Sequence, residues 1–230
     1  MKPKVKASFY LLVVIALGLV LGVAQAQSSP TEIGVAFAGQ NGIEFIGRID
    51  QTLFNLTSYG YITYLGEMPG NLLFSPETLA MFRSENSARF TFMATGTADG
   101  RSNYENIFAA TTSATFNIYY NETPANASFD DPASFTTGTL VATFEGRLYS
   151  MLNVQEPNIG VLLVHSDTVQ TEAVPFTLAG ESYQLGHPDQ LARFTLFGQG
   201  FRSSTEPLAA HYHVAGDVVS AGDRPESQYP

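Results

Sequence analysis

The chain has no cysteine and no tryptophan, and its three lysines, Lys2, Lys4 and Lys6, all fall at the start of the sequence. Without cysteine there is no disulfide framework, no thiol nucleophile, no Cys-ligated metal and no haem attached through Cys. Without tryptophan the G-x-W signature of lipocalins is missing. Beyond the lysines every basic residue is an arginine, eight in all against 21 acids, a formal charge of −13. So acidic a chain, with no basic cluster, is a poor partner for nucleic acid or anionic lipid headgroups. Charged residues are still only 14% of the total, too few for a solvated acidic tail protein. There is no G-x-S-x-G elbow for a serine hydrolase. Gly198-x-Gly200 lacks the lysine and helix start of a phosphate loop.

What the chain does have begins with a leader. Three lysines precede an almost wholly apolar run from Ala7 to Val23, and Ala24-Gln25-Ala26 supplies an A-x-A cleavage site. This predicts a signal peptide over 1–26 and a protein exported to the periplasm or the extracellular space. The membrane enters this reading only as the alternative in which the leader stays uncleaved as an anchor. The remaining 204 residues suit one domain. A chain of that length can bury a core without disulfides.

The most informative stretch is Thr139 to Val154. Leu140, Ala142, Phe144, Leu148, Leu152 and Val154 alternate with Thr139, Thr143, Glu145, Arg147, Tyr149 and Asn153, with Val141 and Met151 as exceptions on the polar side. Period two is the signature of a strand with one buried face. A run this long must curve, and Gly146 in its middle is the expected bend. Ile107 to Tyr120 alternates in the same way: Phe108, Ala110, Ala114, Phe116, Ile118 and Tyr120 share one face, and Thr111, Ser113, Thr115 and Asn117 share the other. Ala88 to Thr97 and Tyr59 to Leu65 are further strands, with turns at Asn55–Ser58, Ala98–Asn103 and Pro157-Asn158. Leu191 to Phe201 is apolar on both faces and reads as a central buried strand. One short helix is expected from Ser75 to Arg83, with Ser75 as cap and Pro76 in its first position. Asn121 to Ser134 is an unusually long, polar, proline-broken loop of the kind that is functional or disordered.

The pattern predicts an all-β fold, a single antiparallel β-barrel or strongly coiled β-sandwich of about 8–10 strands with one short helix. Residues 27–42 form an N-terminal segment or edge strand, 43–220 the β-domain and 221–230 a disordered tail.

Candidate chemistry is sparse. His211 and His213 are two apart on a strand and share a face, so both imidazoles point at one transition-metal ion, provided further ligands exist. His165-Ser166-Asp167 cannot form a relay among themselves, since neighbours on a strand point opposite ways. Asp130 and Asp131, with Glu122, lack the D-x-D-x-D-G spacing of a calcium loop. Tyrosines are frequent on the strands, and Tyr61, Tyr119 and Tyr149 are the candidate lining of a cavity for a small apolar or aromatic ligand. The residues favour an exported, non-catalytic barrel-like protein that binds such a molecule or a cell-surface partner. The alternatives are a barrel enzyme, of isomerase or cyclase type or metal-dependent through His211 and His213, and an outer-membrane barrel. The polar tail and mixed strand faces count against the last.

Cleavage after Ala26 makes Gln27 the first residue of the exported protein. The intact mass of the protein recovered from outside the cytoplasm checks this, and a mass that retains Met1–Ala26 establishes the anchor instead.

Overall fold

The structure, a computed structural model, describes residues 29–35, 37–124 and 126–223. The leader and the end of the expected tail lie outside the described residues. Eleven strands form: β1 (Thr31–Ile33), β2 (Asn41–Thr52), β3 (Asn55–Leu65), β4 (Phe90–Tyr104), β5 (Ile107–Tyr120), β6 (Thr139–Glu156), β7 (Ile159–Ala173), β8 (Phe176–Leu178), β9 (Glu181–Leu185), β10 (Gln190–Thr205) and β11 (Leu208–Asp223). Eight of them close into an antiparallel barrel in the order β10-β11-β2-β3-β4-β5-β6-β7. A hydrogen-bonded seam between β11 and β2, Val218 opposite Ile43 and His211 opposite Asp50, completes the circle. Closure removes every free edge from this sheet.

The two ends of the barrel are built differently. At one end the four connections are two-residue hairpins: Leu53-Phe54, Glu105-Asn106, Pro157-Asn158 and Glu206-Pro207. At the other the chain runs through the long segments 66–89, 121–138 and 174–189. There β1 pairs in parallel with β9, which pairs with β8, to make a small separate sheet. Its Ile33, Phe176, Leu178 and Leu185 are buried with Leu65 and Phe90 of the adjoining strands, so this end is plugged by apolar side chains. Two buried amides tie the plug to the barrel. Gln170 donates to the Leu185 carbonyl at 2.6 Å, and Gln190 donates to the Val35 carbonyl and, at 3.1 Å, to the Ser220 hydroxyl. Buried amides are tolerated where they are paired in this way, and their partners then fix one geometry.

Alternation decides which side chains enter the barrel. On β5 and β6 the apolar sets named above point inward, except Leu140, which a register shift pairs with the outward Tyr119, and paired residues such as Phe116 and Phe144 or Ile118 and Ala142 sit side by side. The hydroxyl-rich set Thr111, Ser113, Thr115 and Asn117 faces out. Inside, Phe92 is fully buried against Phe45 and Phe116, with ring centroids at 5.2 and 4.9 Å. Room for its ring comes from the cross-strand pair Gly47 and Gly60. A Cβ at either position would lie 2.7–2.8 Å from the ring, and at Gly60 also 2.1 Å from the Ile46 carbonyl oxygen.

The described residues of the long loop, 121–124 and 126–138, strap across the outside of β3 and β4, burying Ala127 and Phe135 with Tyr59 in a small second cluster. The Thr91 hydroxyl donates to the Phe135 carbonyl at 2.7 Å and pins it. Beside it, Phe74 of segment 66–89 packs on Tyr61, with the Arg83 guanidinium 5.1 Å above the Phe74 ring.

Several expectations need correction. Among the described residues there is no α-helix: the segment expected to be helical contains only the short 3-10 turn Ala80–Phe82, followed by a second at Glu85–Ser87. One turn of helix with no buried side chain gains too little from packing to extend. No bulge of β6 falls at Gly146; register shifts fall between Thr143 and Phe144 and between Val154 and Glu156. Gly146 serves a close approach, since a Cβ there would meet the Asp167 carbonyl oxygen at 2.4 Å. Ala98–Asn103 is no turn but a bulged part of β4. The first hairpin turns at Leu53-Phe54, not at the polar Asn55–Ser58. The strand β10 is not apolar on both buried faces: Arg193, Thr195, Phe197 and Gln199 face out, and Phe197 is 61% exposed. Finally, β11 continues through Asp223 into the expected tail.

Phe92→Ala removes a fully buried ring from the middle of the aromatic packing and should destabilise the protein by about 3–5 kcal/mol. Urea unfolding at constant m-value measures it. A loss below about 1 kcal/mol would mean that the neighbouring phenylalanines close the gap.

Candidate functional site

The barrel is filled at its plugged end and hollow towards the hairpin end. The boundary is a layer of inward phenylalanines, Phe45, Phe116, Phe144 and Phe194. Phe116 lies 4.8 Å from Phe194 and 6.1 Å from Phe45, and Phe144 lies 5.4 Å from Phe194, centroid to centroid. Above this floor is a cavity of about 600 Å3. It exists because one wall is made of small residues: Ala94, Gly96 and Ala98 on β4, and Ala110, Thr112 and Ala114 on β5. The facing wall carries Leu148, Leu152, Leu162, Val164 and Leu196. An eight-stranded barrel has an interior just wide enough for side chains to fill it or for one small ligand. Replacing one wall of large side chains by alanine and glycine leaves that room open.

Few polar groups enter the cavity. The Tyr212 hydroxyl donates to Gln51 Oε1 at 2.8 Å, and Gln51 Nε2 donates to the Leu53 carbonyl at 3.0 Å. This chain links β11, β2 and the first hairpin. Burial pushes the Tyr212 phenol above its ordinary pKa, opposed by the positive charges of Arg202 and Arg101. Low on the wall, the Thr168 hydroxyl donates to the Ala192 carbonyl at 3.0 Å. Its neighbour Ser166, only 3% exposed, has a buried Oγ with no hydrogen-bond partner among the described residues. A buried hydroxyl facing open space is a place for a water or for a polar atom of a ligand.

The mouth is apolar and exposed. Leu53 and Phe54, at the tip of the first hairpin, line the cavity opening while 49% and 62% exposed, and Tyr104 at the next tip is 75% exposed. Two-residue hairpins favour Asn-Gly because the turn needs positive φ. Here Leu53 takes φ +55° instead. Placing a leucine in that conformation is unfavourable by roughly 1–2 kcal/mol, so the apolar tip is held against local preference. Arg101 and Arg202 complete the rim.

The residues singled out from sequence lie elsewhere. Tyr61, Tyr119 and Tyr149 occupy outward positions and none of them lines the cavity: Tyr61 is covered by Phe74, Tyr119 is paired with Thr91, and Tyr149 is 49% exposed. Tyr212 is the tyrosine that enters it, and most of the aromatic surface inside is phenylalanine.

His211 and His213 do come together, on the outer face of β11. Their ring centroids are 5.5 Å apart, and Phe201 stacks on His211 at 5.3 Å and meets His213 at a tilt, 5.6 Å away. Asp50 lies opposite His211 across the seam. Its carboxylate is engaged by Arg48 Nε at 2.7 Å and by the Tyr59 hydroxyl at 2.6 Å. Burial and that bond to Asp50 hold the Tyr59 phenol well above its ordinary pKa. Among the described residues no three His, Cys, Asp or Glu side chains converge on one point. His165 sits on the outside of β7, opposite Tyr149. His187 lies at the plugged end, 2.9 Å from Asp223. In His165-Ser166-Asp167 only Ser166 faces inward, and Asp167 pairs with Arg193 at 2.8 Å.

No protein-family model, curated protein or solved structure matches this chain.

The half-buried His211 offers a direct check on this outer cluster. Burial first, then the charges of Arg48 and His213, hold its imidazole below the ordinary histidine value, with Asp50 acting the other way. The unfolded chain therefore takes up a proton near pH 6.5 that the folded one accepts only at lower pH. Stability falls as pH drops below about 6.5, until the folded-state midpoint is passed. NMR titration of the imidazole reads the midpoint; a value at or above that of a free histidine contradicts the packing described.

Proposed function

We propose that this protein is an exported, non-catalytic barrel that takes up one small apolar molecule between the phenylalanine floor and the hairpin end. The observation that carries the reading is the unfilled, apolar half of the barrel. Protein interiors pack as densely as organic crystals, and voids beyond the size of a water are few. A cavity of about 600 Å3 falls in the range of small-molecule sites. It is open at a rim of apolar hairpin tips and two arginines, closed at its far end by a plug that shares the barrel's core, and carries a few polar groups on otherwise apolar walls.

The outer surface supports a protein surrounded by water. Outward positions on β5 and β6 carry Thr111, Ser113, Thr115, Asn117, Thr143, Glu145 and Arg147. A membrane barrel has the reverse order, an apolar band outside and a polar lumen. The leader, and cleavage after Ala26, place the barrel outside the cytoplasm in this reading.

N-phenyl-1-naphthylamine, a neutral apolar dye that brightens when it leaves water, tests the proposal. The protein should bind one dye per chain with a blue-shifted emission. Ala110→Phe, which places a ring in the open half without disturbing backbone contacts, should weaken binding by about tenfold or more, a loss of about 1.4 kcal/mol or more, while circular dichroism stays that of a barrel. No fluorescence change with the folded wild type, or equal binding by the variant, overturns it.

A further inference from the structure

We infer that the occupant of this cavity is an elongated apolar acid, its carboxylate held at the mouth by Arg101 and Arg202 and its body reaching down to the phenylalanine floor. This rests on the reading of the hollow half as a binding cavity and adds the chemical class of the ligand.

The charge distribution points to an anion. Two of the eight arginines in this acidic chain line the cavity. They come from different parts of the barrel wall, Arg101 from the bulged end of β4 and Arg202 from the end of β10. Each sits in an inward register position, paired with Ala110 and Ala210 respectively. Arg48 and Arg193 have carboxylate partners in Asp50 and Asp167; the other described arginines, Arg101 and Arg202 among them, form no ion pair. Instead the Arg101 guanidinium lies 5.1 Å over the Phe108 ring at the rim. One acid, Asp99, also reaches the lining. Its carboxylate accepts from the hydroxyls of Thr111 and Ser113, which stand on the outer face of β5, and it forms no ion pair with either arginine. A positive mouth over an apolar shaft suits a molecule with one anionic end. Guanidinium groups are the side chains best matched to a carboxylate.

The shape points to an elongated body. Arg202 and the floor residue Phe194 are eight positions apart on one strand. At about 3.3 Å per residue, and with the usual barrel tilt of about 40°, this is roughly 20 Å along the axis. A cavity so deep with a volume of about 600 Å3 is a narrow shaft.

The test compares dodecanoic acid with dodecan-1-ol, which differ in the head alone, as competitors of N-phenyl-1-naphthylamine near neutral pH and low salt. The acid should bind about tenfold tighter or more, as expected for one charge-assisted hydrogen bond. That preference should shrink in Arg101→Gln and in Arg202→Gln, vanish in the double variant and weaken with added salt. Circular dichroism should stay that of a barrel in every variant, which reports that they are folded, so the ratio of acid to alcohol affinity is the readout. Equal affinity for acid and alcohol, or a preference that survives the double variant, overturns this inference and leaves the cavity reading standing. If dye, acid and alcohol all fail to bind the wild type, the cavity reading falls, and this one with it.

Discussion

Closure of the sheet is the constraint on which the rest of the structure depends. Once β11 pairs with β2, every inward side chain projects into a lumen whose width is set by the number of strands. The backbone then has almost no freedom to shrink around a gap. Side-chain volume alone decides whether a given level of the barrel is solid or hollow. At the level of Phe45, Phe116, Phe144 and Phe194 four rings fill it. Beyond them, alanines and a glycine on β4 and β5 leave it open. The same constraint explains the Gly47–Gly60 pair, which lets the Phe92 ring lie against the wall instead of colliding with it.

Connection length divides the barrel into two ends with different physics. Segments of sixteen residues or more can fold back over an opening and bring their own apolar side chains, as 66–89 and 174–189 do. Two-residue hairpins cannot. Whatever lies at the hairpin end is therefore limited to the side chains of the tips, and at Leu53-Phe54 these are apolar. The polar contacts of the hollow half are few and come from separate strands: Gln51 from β2, Ser166 from β7, Arg202 from β10 and Tyr212 from β11. Only the closed sheet brings them to one space.

Period-two patterning was the most legible feature. It separates the inward and outward sets of β5, and of β6 from Ala142 onward, because alternation on a strand is a local property of the backbone; at Leu140 a bulge breaks the alternation. Turns were read less well. Leu53-Phe54 looks like strand and Asn55–Ser58 looks like turn, but pairing of β2 with β3 over their whole length leaves only the former to reverse the chain. The tyrosines show the same limit. Tyr61, Tyr119 and Tyr149 lie on strands as expected, yet whether a side chain on a strand looks in or out depends on the sheet around it. A signal for the cavity was present in the small inward residues Ala94, Gly96, Ala98, Ala110 and Ala114. It becomes readable only when β4 and β5 are known to be neighbours with Gly96 beside Ala114.

The sequence by itself determined the all-β class, the alternating strands, the cysteine-free and acidic character of the chain and the shared face of His211 and His213. All of these follow from residue type and near-neighbour spacing. Tertiary structure alone decided that the sheet closes, that one end is plugged while the other is open, that the two histidines face outward, and that Arg101 and Arg202 meet over the same cavity. Those are pairings between residues up to a hundred or more positions apart. They are set by strand order and register, and no local pattern encodes them.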